Sequence, residues 1–299
     1  MSAFSAINLS RLPLPDVIRP VEFEALLAEM KAKAISLAPE LADALARESD
    51  PASKILRVCA YFRMLDHLEF NDRSKANFLA FATGADLDGL AAYWGVERLV
   101  VQPADDSQVP PVPAILETDE ALRYRVQLSL EGHSTAGPVG SYIFWALSAS
   151  GSVRDVSVTS PTPGEALVTV LAHGDDGTAS AKLLETVATV LEDVRPMTDL
   201  VTVQTAAVLP YQIEAELTLY KGPDAVTVMA AAQAAIETYV ADHHRLGHDI
   251  TLSGIYAALH QPGVQNVALA QPVADIIVDP TQTAWCSTAP TLTEGGRNV

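Results

Sequence analysis

The sequence is poor in basic residues, which excludes several classes of partner. It has 19 lysines and arginines against 37 acidic residues, a formal net charge of −18, and it has no run of basic residues. Proteins that bind nucleic acid or an anionic membrane surface usually carry a basic patch. We therefore expect no nucleic-acid partner and no membrane partner, and we expect protein partners instead.

Long apolar runs and cysteines are also scarce. No stretch approaches the roughly 18 consecutive apolar residues of a membrane span, and residues 1–20 lack the charged start and apolar run of a signal peptide. The two cysteines, Cys59 and Cys286, lie far apart in the sequence. We expect two free thiols, as in a protein made in the reducing cytoplasm.

Motifs for catalysis and cofactor binding are missing as well. The chain lacks the phosphate-binding, dinucleotide-binding, serine-hydrolase and zinc-protease motifs. The best metal candidate is the group His243, His244 and His248, but Gly247 should end the helix inside it, and no cysteine or carboxylate completes the ligand set. We interpret these histidines as surface residues at a helix end and predict no cofactor, no metal and no enzymatic activity.

What the sequence does contain is a change of pattern in its middle. From Val21 to residue 94, apolar residues recur every three or four positions, which predicts helices. Pro39 breaks the first helix, and Asp50 with Pro51 starts the next one. This next helix either continues to Gly84, over about 30 residues, or breaks near residues 71–72.

The second half of the chain alternates between strand and helix patterns. Prolines concentrated in residues 102–113 predict a stiff linker, and two helices follow it. Residues 153–205 then indicate β-β-α-β and residues 213–269 indicate β-α-α-β, with Trp285 and Leu292 as anchors for a last strand. The predicted class is α+β, with an all-helical N-terminal part followed by two small α/β units with mostly antiparallel sheets.

We divide the chain into five segments on this basis. They are an extended arm (1–20), a helical part (21–100), a proline-rich linker (101–116), a central segment with the β-β-α-β unit (117–206), and a second α+β unit with the C-terminal tail (207–299). The arm is either disordered or docks on a neighbouring chain, because it is more apolar than a typical linker.

Short motifs occur along the chain in an order that resembles one known family. The central ones are an acidic helix start with Arg123 and Arg125, S-T-A-G-P at 134–138, and V-x-D-V-x-V-x-S-P-x-P-G at 153–164. Others are A-T-G-A-D-L-D-x-L-A at 82–91, R-P-M-T-D at 195–199, L-G-H-D-I at 246–250 and P-G-V-x-N-V at 262–267. Together they resemble the baseplate J-like family of contractile phage tails and R-type pyocins.

The resemblance implies a function and a set of partners. It implies a structural wedge subunit of a contractile injection machine, in a ring around the central spike and hub that passes on the signal for sheath contraction. The implied partners are a second copy of the chain, a protein I-like wedge partner, a W-like baseplate protein near the sheath, and the hub. The implied location is the host cytoplasm during assembly and then the baseplate of the released particle.

Aromatic residues are concentrated in the helical half. Phe62, Leu65, Phe78, Phe81 and Trp94 are either core residues or, as we predict, part of an interface between subunits, since aromatic residues often anchor interfaces. The alternative function is a ligand-binding or regulatory α+β protein without catalysis. Such a protein should show a pocket with convergent polar groups between the two sheet units.

Overall fold

The computed structural model describes residues 7–107, 109–222 and 224–298. It contains two compact units, which meet in the sequence between Glu97 and Arg98. We call residues 7–97 the helical unit and the described residues from Arg98 onward the mixed unit. The elements of the described residues confirm the α+β class with an N-terminal helical part.

The helical unit consists of four α-helices within the described residues. They are α1 (Phe23–Leu37), α2 (Ala42–Leu45), α3 (Pro51–Lys75) and α4 (Gly84–Ala92). α1 ends before a 3-10 turn at Pro39–Leu41, because proline cannot continue the helix. α1 and α2 both pack against α3, with Leu27 and Leu45 buried.

α3 is the longest helix of this unit, and its 25 residues span about 37 Å. The Asp50 carboxylate caps it by accepting a hydrogen bond from the amide of Ala52 at 2.9 Å, and Pro51 takes the first position as predicted. The helix does not break at Asn71, and it does not continue to Gly84, because turns follow Lys75. Asn71 is tolerated there because its side chain is buried in a tertiary contact.

That contact fixes the base of the N-terminal arm. The Asn71 amide nitrogen donates to the carbonyl of Arg19 at 2.8 Å, and the amide of Arg19 donates to the Asn71 side-chain oxygen at 3.2 Å. The arm is thus attached to α3 of its own chain at residue 19, while Leu12, Leu14 and Val17 remain exposed. The first six residues of the predicted arm lie outside the described residues.

The mixed unit begins with a hairpin and two helices. β1 (Val100–Gln102) pairs antiparallel with β2 (Ile115–Leu116), and Asp105 forms a further bridge with Val112. The proline-rich segment that we predicted as a linker therefore lies inside the mixed unit, as the connection of this hairpin. α5 (Asp119–Gly132) and α6 (Val139–Ala149) follow and pack against each other.

The predicted β-β-α-β unit comes next. It comprises β3 (Val153–Thr159), β4 (Glu165–Ala172), α7 (Ala181–Val194) and β5 (Leu200–Thr205). The sheet order is β3-β4-β5, with β3 antiparallel and β5 parallel to the central β4. α7 buries Leu183, Val187 and Leu191, which recur every four residues along one face of the helix.

The last part contains the predicted β-α-α-β unit and three strands around it. Its elements are β6 (Ala207–Tyr211), β7 (Glu214–Tyr220), α8 (Ala225–His243), α9 (Leu252–Leu259), β8 (Val264–Gln271), β9 (Gln282–Cys286) and β10 (Thr291–Asn298). β7 pairs antiparallel with β8 and parallel with β10, and β6 pairs parallel with β9. The C-terminal segment thus supplies two strands, where the sequence suggested one.

Candidate protein–protein interface

One face of α3 carries large apolar side chains that no described part of the chain covers. Ile55 is 63% exposed, Val58 56%, Phe62 59% and Leu65 39%. Their spacings of three, four and three residues place them on one side of the helix. We call these four residues the α3 stripe. Because isolated exposed apolar residues are ordinary whereas a contiguous row is not, the stripe marks a candidate interaction surface.

The opposite side of α3 explains this arrangement. The buried residues of α3 are small or polar, namely Ser53, Ala60 and Asn71. The Ser53 hydroxyl donates to the carbonyl of Leu45 at 3.1 Å, and small side chains allow the neighbouring helices to approach closely. The sequence spacing groups Ile55, Val58, Cys59, Phe62 and Leu65 on one face of this helix, and it does not indicate whether that face is buried. The structure packs the small-residue face inward and leaves the large residues outside.

The five interface residues predicted from the sequence fall in three places. Phe62 and Leu65 belong to the α3 stripe, Phe78 and Phe81 lie in the turns after α3, and Trp94 follows α4. Phe62, Leu65, Phe78 and Trp94 are exposed, and Phe81 is half-buried. Their role in an interface stays a prediction.

Sequence reasoning missed Tyr93, which is 88% exposed. Tyr93 lines a groove of about 750 Å³, together with residues from the end of α3, the following turn and α4. The signal available in the sequence was weak, because Tyr93 lies in the last turn of a predicted amphipathic helix and resembles a packing residue.

Of the three histidines predicted at the surface, His248 is exposed and His243 is half-buried, whereas His244 is not a surface residue. His244 is buried, its ring lies 5.0 Å from that of Trp285, and its Nε2 lies 3.3 Å from the carbonyl oxygen of Asp176. Burial, helped by the nearby Arg154, lowers the pKa of His244 below its ordinary value. His243 instead stacks on Tyr239. Among the described residues, no three histidine, cysteine or acidic side chains are grouped as metal ligands.

Several of the sequence motifs meet in the fold and serve as structural contacts. The S-T-A-G-P segment lies against R-P-M-T-D, where Gly137 approaches Pro196 and the Tyr142 hydroxyl donates to Asp199 at 2.6 Å. Burial and this hydrogen bond raise the pKa of Tyr142 above its usual range. The Asp155 carboxylate accepts a hydrogen bond from the amide of Leu246 at 3.0 Å, which joins V-x-D-V to L-G-H-D-I.

The described residues also bear on the question of a membrane span and on the two thiols. No helix within residues 7–107, 109–222 and 224–298 is long and apolar enough to cross a membrane. Cys59 is an exposed thiol on α3, and Cys286 is a buried thiol in β9. Burial raises the pKa of the Cys286 thiol.

Comparison with known proteins identifies the family. Three family models match the chain in order: the Baseplate J-like N-terminal domain at residues 48–105, the central domain at 134–205 and the C-terminal domain at 211–289. Baseplate protein J of Escherichia phage P2 is 46% identical over 296 residues, which cover 97% of this chain and 98% of that protein.

A solved structure is also similar, at a lower level. A chain in the six-fold symmetrised cryo-EM structure of the anti-feeding prophage baseplate matches with a TM-score of 0.43 and 15% identity, over 60% of this chain and 43% of that chain. This chain therefore spans less than half the length of that solved relative. None of these relatives has an enzymatic name. From the three family models and the full-length phage relative, the chain belongs to the baseplate J-like family of structural baseplate proteins.

Proposed function

We propose that the chain is a wedge subunit in the baseplate of a contractile injection machine. In this role it forms part of a ring around the central spike and hub, and it contacts a second copy, a protein I-like partner and a W-like protein near the sheath. When the particle contacts its target, the ring passes on the signal for sheath contraction. The subunit is assembled in the host cytoplasm and then remains in the baseplate of the released particle. Membership of the baseplate J-like family supports a place in the baseplate. The exposed α3 stripe supports contacts with other subunits.

The α3 stripe is the observation on which the proposal depends. Apolar residues at alternating spacings of three and four form the seam by which one helix packs into another. The stripe extends over about one and a half such repeats, from Ile55 to Leu65. Burying a large apolar side chain contributes about 1.5–3 kcal/mol, so four partly exposed residues contribute on the order of 5 kcal/mol before the cost of association.

The distribution of charge is consistent with subunit contacts through the helical unit. Residues before Arg98 include 14 acidic and 10 basic side chains, whereas the mixed unit includes 23 acidic and 9 basic ones. The strong negative charge of the mixed unit favours its solubility. The helical unit is nearly balanced, so helices of other subunits can pack on it without a large repulsion. We therefore assign the wedge contacts to the helical unit.

Incorporation into particles tests the proposal. Phe62→Glu places a charge in the middle of the α3 stripe, where burial in an interface would be costly. We expect the variant chain to fold but to be absent from purified particles, at least about tenfold below the wild-type level. The matched control is Tyr220→Glu, another exposed aromatic in the mixed unit, which should be incorporated normally. Normal incorporation of Phe62→Glu would refute the role of the stripe.

A further inference from the structure

The N-terminal arm carries a short segment with the properties of a docking peptide. In Leu12-Pro13-Leu14-Pro15, which we call the LPLP segment, prolines alternate with two exposed leucines. Such alternation favours the extended polyproline II conformation, which has no internal hydrogen bonds and little entropy left to lose on binding. Arg11 precedes the segment and Asp16 follows it. The segment therefore offers two apolar side chains between a positive and a negative end.

A groove in the helical unit has matching properties. Its volume is about 750 Å³, and all of its lining residues fall between positions 72 and 93. Phe81, Leu90 and Tyr93 provide its largest apolar side chains. Its charged residues are Asp72, Arg73 and Lys75 from the end of α3 and Asp86 from the start of α4.

We propose that this groove binds the LPLP segment of a second copy of the chain. Aromatic-lined grooves are a common way to recognise proline-rich extended segments, because the rigid peptide inserts its side chains between the rings. The charges are complementary as well. Asp86 can pair with Arg11 at one end of the segment. At the other end, Asp16 can pair with Arg73 or Lys75, which in the free chain pair with Glu69 and Asp72 at the surface, where such pairs are weak.

The structure favours a second copy over the chain's own arm. The hydrogen bonds between Arg19 and Asn71 attach the arm at the end of α3, next to the groove. The arm nevertheless leaves both leucines of the LPLP segment in solvent, and none of its described residues, 7–20, lines the groove. The inference uses the proposed function only for the presence of a neighbouring copy.

Peptide binding tests the recognition itself. A fluorescent peptide of residues 7–20 is titrated with the full-length chain carrying Leu12→Ser and Leu14→Ser, so that the chain's own arm does not compete. We expect saturable binding, and we expect Tyr93→Ala in the same chain to weaken it at least about tenfold, as for an anchoring aromatic. Tyr61→Ala, a change at an exposed aromatic on α3 that does not line the groove, should leave the binding unchanged. Absence of saturable binding, or equal binding by the Tyr93→Ala chain, would overturn the inference.

Photo-crosslinking distinguishes a second copy from the same chain. A photoreactive phenylalanine analogue replaces Leu14 in the full-length chain, and tagged and untagged chains are mixed. We expect crosslinks between the two chains that map to residues 72–93 and decrease on dilution. Crosslinks that stay within one chain at every concentration, or that map outside the groove, would contradict the proposal. If either contradicting result is found while the chain is still incorporated normally into baseplates, the proposed function stands and only this inference fails.

Discussion

The Glu117 carboxylate accepts two hydrogen bonds from the Arg125 guanidinium, from Nε at 2.8 Å and from Nη2 at 2.6 Å. Both side chains are at least nine-tenths buried. The amide of Leu99 donates to the same carboxylate at 3.1 Å, and Arg98 donates to the backbone carbonyl of Glu117 at 2.6 Å. This network ties the first residues of the mixed unit to α5, which explains why the mixed unit begins at Arg98 rather than after the proline-rich segment.

Removal of one member of this pair should strongly destabilise the mixed unit. Arg125→Met leaves the Glu117 carboxylate buried without its cation, which costs about 3–5 kcal/mol. Urea unfolding should be followed by tryptophan fluorescence in a Trp94→Phe background, because Trp145 and Trp285 then report only on the mixed unit. The double variant Glu117→Leu/Arg125→Met should lose less than the sum of the two single variants. Strictly additive losses would contradict a coupled pair.

Gly137 should tolerate alanine less well than Gly164 does. Both glycines have positive φ angles, +65° and +87°. A Cβ at Gly137 would lie 2.6 Å from Cγ of Pro196, whereas a Cβ at Gly164 would meet nothing within 4 Å. Gly164→Ala should therefore cost about 1 kcal/mol from backbone strain alone, and Gly137→Ala at least about 1 kcal/mol more. Equal unfolding midpoints for the two variants would show that the contact with Pro196 does not matter.

Most of the fold follows from local pattern. The β-β-α-β and β-α-α-β orders, the break at Pro39 and the cap at Asp50 all reflect periodicity and turn chemistry within a few residues. The pairing of β6 with β9 and of β10 with β7 joins strands about 75 residues apart. Such pairings depend on the tertiary arrangement, so the sequence pattern gave no indication of them.

Asp155→Asn should change how the stability of the mixed unit depends on pH. Desolvation raises the pKa of Asp155 above its ordinary value, although its hydrogen bonds and the nearby Arg245 and His248 act in the opposite direction. The folded chain therefore holds this proton more tightly than the unfolded chain. Binding of this proton stabilises the folded chain fully at pH values below the pKa that Asp155 has in the unfolded chain. The stabilisation is lost as pH rises through the pKa that Asp155 has in the folded chain.

We thus expect the wild-type chain to lose stability relative to Asp155→Asn as pH rises from about 4 to 7. The asparagine variant is less stable in absolute terms, because its NH₂ group cannot accept a hydrogen bond from a backbone amide. The tested quantity is the difference between the two urea midpoints at each pH. A constant difference would show that Asp155 has an ordinary pKa.

His244 should make the mixed unit less stable as pH falls, which is opposite to the effect of Asp155 and occurs in a higher pH range. Its pKa is lowered by burial and by Arg154, so the unfolded chain binds the proton more readily than the folded chain. The stabilising contribution is present above the unfolded pKa of about 6.5 and is lost as pH falls below it. The wild-type chain should therefore lose more stability between about pH 7 and 5 than His244→Phe, in urea unfolding of the mixed unit. An identical loss in both chains would refute a buried, neutral His244.

The candidate interface was only partly predictable. Phe62 and Leu65 were among the interface residues predicted from the sequence, whereas Ile55 and Val58 were not. Periodicity shows that these residues share a side of α3, and it does not show which side faces the protein. The burial of the small residues Ser53 and Ala60 determines this, and it is visible only in the structure.

A reconstruction of the native assembled baseplate would show what covers the α3 stripe. From the proposed wedge function we expect two copies of this chain per wedge, with Ile55, Val58, Phe62 and Leu65 of each copy covered by apolar side chains of helices from other subunits. A baseplate with one copy per wedge, or with the α3 stripe facing solvent in both copies, would contradict this expectation.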